Sequence, residues 1–327
     1  MIYGNACFLM TSYNAEMHIA DSIQAILDQT EPNFSLLIVD DNSTDRTFEI
    51  INSFSDPRIY KIRNASNLGS AGAANVGLSF IQSKYILRID SDDICLPNRL
   101  NEQLNFMEQH PEIDVCGSYV AFFGDRTGLW EMPLQNTEIK ARLIWDNVIA
   151  NSSAIIRGET LRKNHLTYKP TLRKPPLEDY QLWLNLLPLA NFANIPKILV
   201  KKREHINNQS AIYKNESYLA LKDLFKEVLP NLGLHVINNE IDTHLFGKGE
   251  NLTFDSKNMK DFLAWKDKLS NFFQQLNFIP QEDFIKAADF KWRTFSVFVP
   301  NEDLVNYLQL SDNKILALKS VIKNKLK

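Results

Sequence analysis

Cysteine is scarce in this chain: 327 residues carry three, Cys7, Cys95 and Cys116. The count is odd and no Cys-x-x-Cys spacing occurs. That excludes a disulfide framework and a cysteine zinc site, and it points to a reducing compartment. Cys7 and Cys116 lie inside apolar runs, where cysteine behaves as a small buried hydrophobe. No segment reaches the ~18 uninterrupted apolar residues of a membrane span. The N-terminus has no basic stretch followed by an apolar one, so no secretory signal is expected. Neither sign of charge dominates: 36 Lys and Arg face 39 Asp and Glu, for a net charge of −3. Such a balance gives no general attraction to nucleic acid. There is no internal repeat and no low-complexity segment. A hydrophobic fraction of 44% is that of a globular chain. A cytoplasmic protein of enzyme size is expected.

What is present is alternation. Ala6–Met10, Ser35–Val39, Ile59–Ile62 and Tyr85–Ile89 are short apolar runs of strand type. Helical patterns separate them. Met17, Ile19, Ala20, Ile23, Ile26 and Leu27 form one stripe, Asp45–Phe54 a second pattern, and Asn67–Gln82 a Gly/Ala-rich third. Pro97–Met107 follows as a further helix. Strands alternating with helices predict βαβ units and a largely parallel sheet. Three of the strands end in polar clusters, Thr11–Asn14, Asp40–Ser43 and Asp90–Asp93. Parallel strands put those clusters on one sheet edge, where α/β folds bind ligands.

The run Tyr85-Ile-Leu-Arg-Ile-Asp90-Ser-Asp92-Asp93 is the most informative stretch. An apolar strand stops in three carboxylates within four residues. Such crowding is offset best by a divalent cation, and hard oxygen ligands suit Mg²⁺ or Mn²⁺. The plainer alternative is a solvated acidic turn before the next helix.

From about residue 115 the pattern loosens. Val115–Phe123, Ser153–Arg157 and Ile198–Lys202 read as strands, and Glu138–Trp145 as a helix. Pro170–Pro176 is a basic, proline-rich loop leading into Leu177-Glu178-Asp179-Tyr180 and a helical stretch with Leu182, Trp183, Leu186 and Leu187. Beyond about residue 210 the pattern is helical, over Tyr218–Leu229, Met259–Leu276 and Asp303–Leu310. The expected division is 1–210 and 211–327.

Taken together, Met10-Thr-Ser-Tyr-Asn14, Ile38-Val-Asp-Asp-Asn-Ser-Thr-Asp45, Asn67-Leu-Gly69 with Ala74-Asn75, Asp90-Ser-Asp-Asp93 and Glu178-Asp179-Tyr-x-Leu-Trp183 resemble a family 2 glycosyltransferase of the GT-A fold. Gln29-Thr-Glu-Pro-Asn-Phe34 fits the same series. The resemblance covers about two thirds of the chain. It implies an α/β fold with a mostly parallel central sheet flanked by helices, followed by a C-terminal helical region. It implies transfer of a sugar from a nucleotide-diphosphate sugar, with a UDP-sugar the expected donor, to a glycan or lipid-linked glycan. Lipooligosaccharide or capsule synthesis is the expected setting. By the same resemblance Thr11, Tyr13 and Asp41 contact the nucleotide, with Asp40 a contact or a brace of its turn. Asp90 and Asp92 hold Mn²⁺ or Mg²⁺ against the diphosphate. Asp179 is the base of an inverting displacement, and Glu178 binds the acceptor or orients the loop. Arg203-Glu-His205 followed by Ser210 resembles the family's Arg-x-His tail, which implies Arg203 on a phosphate and His205 at the metal.

Several readings stay open beside this one. Ser43 or Thr44 is a candidate helix N-cap. Glu178 and Asp179 also suit a helix N-terminus on electrostatic grounds alone. Asp93 either assists the metal or caps the following helix. Relatives often carry Ala-Arg-Asn where this chain has Ala73-Ala74-Asn75; Lys61, Arg63 and Arg88 are the candidates to replace that arginine. A nucleotidyltransferase or a non-catalytic nucleotide-sugar-binding module are the alternatives. The first wants a Gly-rich basic loop after the first strand, and Thr11-Ser-Tyr-Asn14 lacks both residue types. The lysines of Lys314–Lys327 alternate with Ile315, Leu318, Ile322 and Leu326. A basic amphipathic helix there would lie on the inner face of the cytoplasmic membrane, or pack on its own domain or on a second copy of the chain.

Overall fold

A computed structural model of the chain describes residues 1–171, 173–205, 213, 216–245, 256–276 and 278–294. Ser210, Asp303–Leu310 and the lysine-rich segment Lys314–Lys327 lie outside the described residues. The contacts divide the chain into two compact units. One holds Met1–Asn136, Val148–Leu172 and Glu178–Ile212, the other Thr137–Asn147, Arg173–Leu177 and Tyr213–Lys327.

The first unit is built on four parallel strands. β1 (Ala6–Ser12), β2 (Ser35–Asp40), β3 (Ile59–Arg63) and β4 (Tyr85–Asp90) pair in the order β3-β2-β1-β4. Their apolar runs are continuous because both faces of a parallel sheet are covered. Phe8, Met10, Leu36, Ile38, Leu87 and Ile89 share one core with Ile19, Ile23 and Ile26 of α1 (Ile19–Leu27). On the other face α3 (Gly69–Phe80) comes so near that a Cβ on Gly77 would stand 2.3 Å from Leu9 Cδ1 and 3.3 Å from Val39 Cγ2. Glycine at that position sets the helix-to-sheet spacing.

The second half of the sheet is antiparallel for the most part. β8 (Ile155–Arg157) runs against β4, and β6 (Val115–Gly124) against β8. β9 (Phe192–Glu204) then runs parallel to β6 and pairs with the short β5 (Ile94–Cys95). β7 (Gly128–Trp130) forms a hairpin with β6. So the expected parallel sheet is found in its first four strands, and the whole is mixed. β9 is longer than the Ile198–Lys202 expected. Pro196 falls where the pairing with β6 skips from Ile195 to Ile198, a bulge that proline tolerates because it has no N–H to offer. Beyond the bulge the strand continues to Glu204 and delivers Arg203 and His205 to the end of β4.

Other elements follow the sequence with shifts at their ends. α2 spans Thr47–Ser53, α4 Arg99–Gln109, α5 Asn136–Leu143 and α7 Glu178–Leu186, while α6 (Gly158–Lys163) was not expected. Met17, counted in the first stripe, precedes α1 and is 77% exposed. The three cysteines are free and buried. Ser43 and Thr44 are not the caps of α2. The helix begins at Thr47, and both side chains bond the loop after β1 instead.

The second unit has an aromatic core of its own. Among the described residues its helices are α5 from Thr137 on, α8 (Ser217–Asn231), α9 (Asn238–His244), α10 (Ser256–Leu276) and α11 (Gln281–Thr294). The buried stripe of α10 runs through Phe262, Trp265, Leu269 and Phe273, whereas the expected Leu276 is exposed and Phe272 less buried than Phe273. His244 sits inside this core. Its ring stacks on Trp145 at 4.9 Å, meets Phe225 edge-on at 4.3 Å, and its Nδ1 accepts the Trp265 indole N–H at 3.0 Å. Burial, with Lys291 adding to it, holds the imidazole down at about 3.

Two outcomes follow for stability. Gly77→Ala forces Leu9 to move within a packed core and is expected to cost about 1–3 kcal/mol, read as a lower thermal midpoint. His244 is neutral when folded and takes a proton readily only when unfolded. Its contribution is therefore whole above pH 6.5 and is lost as pH falls from there towards about 3, at about 1.4 kcal/mol per pH unit. Melting curves at pH 7.5 and 5.0 measure this; the pH slope should shrink in His244→Asn, which keeps an acceptor for Trp265.

Candidate active site

The loops after β1 and β2 are fastened to each other by side chains. Asn14 has φ 50°, and its Oδ1 accepts from Thr44 N at 2.9 Å while its own N–H donates to Ser43 Oγ at 3.0 Å. Ala15 N donates to Thr47 Oγ1 at 2.7 Å, Glu16 N to Asp45 Oδ2 at 3.1 Å, and Arg46 N to Glu16 Oε2 at 3.0 Å. Polar residues cluster in both loops because each supplies the partners of the other.

Asp40 and Asp41 have different tasks. Asp40 is fully buried, accepts from Ser43 N and Oγ, and pairs with Arg63 Nε at 3.2 Å. It braces its turn. Asp41 lies one residue beyond the strand, where its Oδ1 accepts from Asn64 Nδ2 at 2.7 Å and from Leu68 N at 2.9 Å. That fixes the carboxylate between the ends of β2 and β3. Thr11 is part-exposed at the end of β1, and Tyr13 is 49% exposed beside it.

At the end of β4 the three carboxylates separate by environment. Asp90 Oδ1 accepts from Asn151 Nδ2 at 3.1 Å, and its backbone N–H donates to Ser152 Oγ at 3.2 Å. Asp92 Oδ2 lies 3.3 Å from His205 Nε2, across 113 residues of sequence. Asp93 is fully buried, and its Oδ1 accepts from Arg203 N at 2.8 Å. Burial pushes the Asp93 carboxyl up to about 7 against the pull of Lys202, and Asp93 in turn raises the Lys202 ammonium. Asp93 therefore caps no helix; it ties β9 to the end of β4. Arg203 completes the tie. Its Nε donates to the Asp92 carbonyl at 3.0 Å, its guanidinium stacks on Phe123 at 4.5 Å, and Asp21 lies 3.7 Å away.

Among the described residues, no group of three or more His, Cys, Asp or Glu side chains is close enough to hold a metal ion by itself. Asp92 with His205 is a narrower set, one carboxylate and one imidazole. Its chemistry fits Mn²⁺ or Mg²⁺ of the kind that completes its shell with water and phosphate oxygens. His18 adds to the same corner, its ring 5.3 Å from that of His205. Burial first, then Arg203 and His205, lower its affinity for a proton.

Glu178 and Asp179 open α7, both part-exposed. Asp179 Oδ1 accepts from Tyr180 N at 2.7 Å, and Glu178 Oε2 is buried with no hydrogen-bond partner. Of the three cations suggested for the missing arginine, Lys61 donates to the Phe54 and Asn52 carbonyls and Arg63 pairs with Asp40. Arg88 is 2% exposed and donates to the Leu9 carbonyl at 3.1 Å. Ala74 is itself buried in α3, where the close helix-to-sheet packing favours a small side chain.

Sequence reasoning assigned no role to four participants. Ser152 and Asn151 hold Asp90. Asn75 clamps the backbone of Tyr168, accepting its N–H at 2.9 Å and donating to its carbonyl at 2.7 Å. His18 faces His205. Arg88 carried a usable signal, a charged residue within an otherwise apolar buried strand.

The comparisons agree with this geometry. The family model described as "Glycosyl transferase family 2" matches residues 7–163. An uncharacterized glycosyltransferase of Haemophilus influenzae is 32% identical over 232 residues, covering 67% of this chain and 71% of the relative. WfaP of Escherichia coli, named a UDP-Glc:alpha-D-GlcNAc-diphosphoundecaprenol beta-1,3-glucosyltransferase, is 34% identical over 183 residues, 55% of this chain and 68% of the relative. In fold, the chain is similar to S. aureus TarS 1–349 in complex with UDP-GlcNAc, with TM-score 0.61 and 18% identity over 98% of this chain and 89% of that one. It is also similar to the mannosyltransferase PcManGT of Pyrobaculum calidifontis in complex with GDP-Man and Mn²⁺, with TM-score 0.55 and 11% identity over 99% and 88%. A GT-A architecture, the clustered strand-end carboxylates and the similarity to a relative over two thirds of its length lead to one conclusion: this chain belongs to glycosyl transferase family 2 and is a glycosyltransferase.

Proposed function

We propose that the chain is a metal-dependent, inverting glycosyltransferase that takes its sugar from a nucleoside-diphosphate sugar. The observation that carries this reading is the meeting of Asp92 with His205 at 3.3 Å beside Asp90. Thr11, Tyr13 and Asp41 hold the nucleoside, with Asp40 bracing the turn beneath. Asp90, Asp92 and His205 hold Mn²⁺ or Mg²⁺, which when bound neutralises charge on the diphosphate leaving group. Arg203 holds the Asp92 backbone in place, so its part in phosphate binding is carried out through that carboxylate. Asp179 accepts the proton of the acceptor hydroxyl as that oxygen bonds to the sugar's C1 and the bond from C1 to the diphosphate breaks. A single displacement inverts the anomeric centre, through a transition state with oxocarbenium character. Glu178, adjacent in the first turn of α7, orients the acceptor. Membership of the transferase family removes the ground for the nucleotidyltransferase alternative.

The donor is proposed to be a UDP-sugar. The bound UDP-GlcNAc of the TarS neighbour and the UDP-Glc in the WfaP name support it. The GlcNAc-diphosphoundecaprenol in the WfaP name supports a lipid-linked glycan acceptor, and with it we propose surface-glycan synthesis at the inner face of the cytoplasmic membrane. Among the described residues, no helix is long and apolar enough to cross a membrane. The catalytic role falls to the sheet unit, and the helices after residue 210 serve the acceptor, the membrane or a second copy.

Two measurements test the reading. Asp179→Asn is expected to lower kcat by about 10²–10⁴-fold while UDP still binds; turnover near the wild-type rate would remove Asp179 as the base. With UDP at ~100 times its Kd, stabilisation of about 2.7 kcal/mol is expected in the presence of Mn²⁺. The shift should disappear in Asp92→Asn, and a shift that persists there would place the metal elsewhere.

A further inference from the structure

A histidine offered to a metal at a strand end needs something to aim it. His205 stands one position past β9, beyond the last rung of its pairing with β6, Gly124 with Glu204. Its backbone is outside the ladder, and its imidazole turns about a χ2 torsion that is broad and two-fold. Asp92 Oδ2 touches the ring at 3.3 Å. The two side chains are 27% and 29% exposed, and a pair so open to water orients its members weakly. A second contact comes from His18. The two histidine rings lie 5.3 Å apart between centroids and 48° from parallel. That is within the range in which aromatic pairs attract, by ~0.5–1.5 kcal/mol.

His18 can aim a partner because it is itself held. It opens α1: its N–H donates to the Ala15 carbonyl at 3.0 Å, and its carbonyl accepts from Ser22 N at 3.2 Å and Ser22 Oγ at 3.3 Å. Ala15 is fastened in turn to Thr47, and Ile19, next along, is fully buried. The ring is thus carried by the start of a packed helix and not by a free loop. One turn on, Asp21 reaches the same strand end. Residues three apart share a helix face, and Asp21 Oδ2 lies 3.7 Å from Arg203 Nη2. Asp21 is 68% exposed, so that ion pair adds little. The ring contact of His18 carries the weight. His18 is not a further ligand: among the described residues, no three such side chains stand close enough to share an ion.

We propose that His18 is a positioning residue of the metal site: its ring fixes the imidazole of His205 so that Nε2 faces Asp92, and so sets how tightly Asp92 and His205 hold their divalent cation. The inference rests on the metal-dependent reading above and goes beyond it, since His18 touches neither metal nor substrate. Groups behind a ligand govern metal affinity by fixing the ligand's orientation. His18 does so from an element that supplies neither ligand.

The test is binding of Mn²⁺ to the full chain in saturating UDP, followed by the EPR signal of free Mn²⁺. His18→Ala removes the ring and is expected to weaken Mn²⁺ binding about two- to tenfold, the worth of one aromatic pair. His18→Phe keeps a ring that cannot ligate and should bind Mn²⁺ as the wild type does. UDP affinity measured in EDTA should be the same in all three. Equal Mn²⁺ affinity in wild type and His18→Ala would overturn the inference. So would a loss in His18→Phe as large as in His18→Ala, which would make the histidine a ligand. A loss of UDP affinity in EDTA would also overturn it, by making the role of His18 structural. His205→Ala separates the two levels and should bind Mn²⁺ more weakly than either variant. If it binds Mn²⁺ as tightly as the wild type, the metal reading fails, and this inference with it.

Discussion

Burial of Asp93 is the constraint on which the site depends. A carboxylate fully removed from water is costly, and this one is retained because it accepts the Arg203 N–H and lies in the field of Lys202. The bond spans 110 residues and joins the parallel half of the sheet to its last long strand. Asp92, next in line, can then meet His205, and Arg203 can lie across Phe123 with its Nε on the Asp92 carbonyl. Without the buried neighbour, Asp92 and His205 would have no common frame. Two successive aspartates thus divide the work: Asp93 holds the geometry and Asp92 presents its carboxylate.

The same division recurs at the second strand. Asp40 is consumed by its own turn and by Arg63, while Asp41 is aimed by the loop that follows β3. In both pairs one aspartate is fully buried and braces the backbone, the first of the two at the end of β2 and the second of the two beyond β4.

How much of this was readable in the chain varies with the range of the interaction. The four parallel strands were legible because covered strands are uniformly apolar, and the polar clusters were legible because they interrupt those runs. Asp41, Asp92 and Asp179 were singled out through the resemblance of their motifs to the family. The tether from Asp93 to Arg203 was not readable, since nothing local in either segment signals the other. The clamp of Asn75 on Tyr168 crosses 93 residues and was hidden for the same reason. The length of β9 was concealed by Pro196, which reads as a break although it sits on a bulge. Ser43 and Thr44 look like helix caps because capping and loop-to-loop bonding draw on the same side chains.

The fastened loops after β1 and β2 carry a further consequence. Bonds from Asn14, Ser43, Thr44, Asp45 and Thr47 hold two irregular segments as one wall without any strand ladder between them. Loops of this kind normally lose conformational freedom when a ligand arrives, and the loss weakens binding. Here the freedom is surrendered during folding, so a ligand that reaches this edge meets a wall already shaped. Its affinity is then set by how well it fits, and a small fragment needs no larger partner to organise the surface.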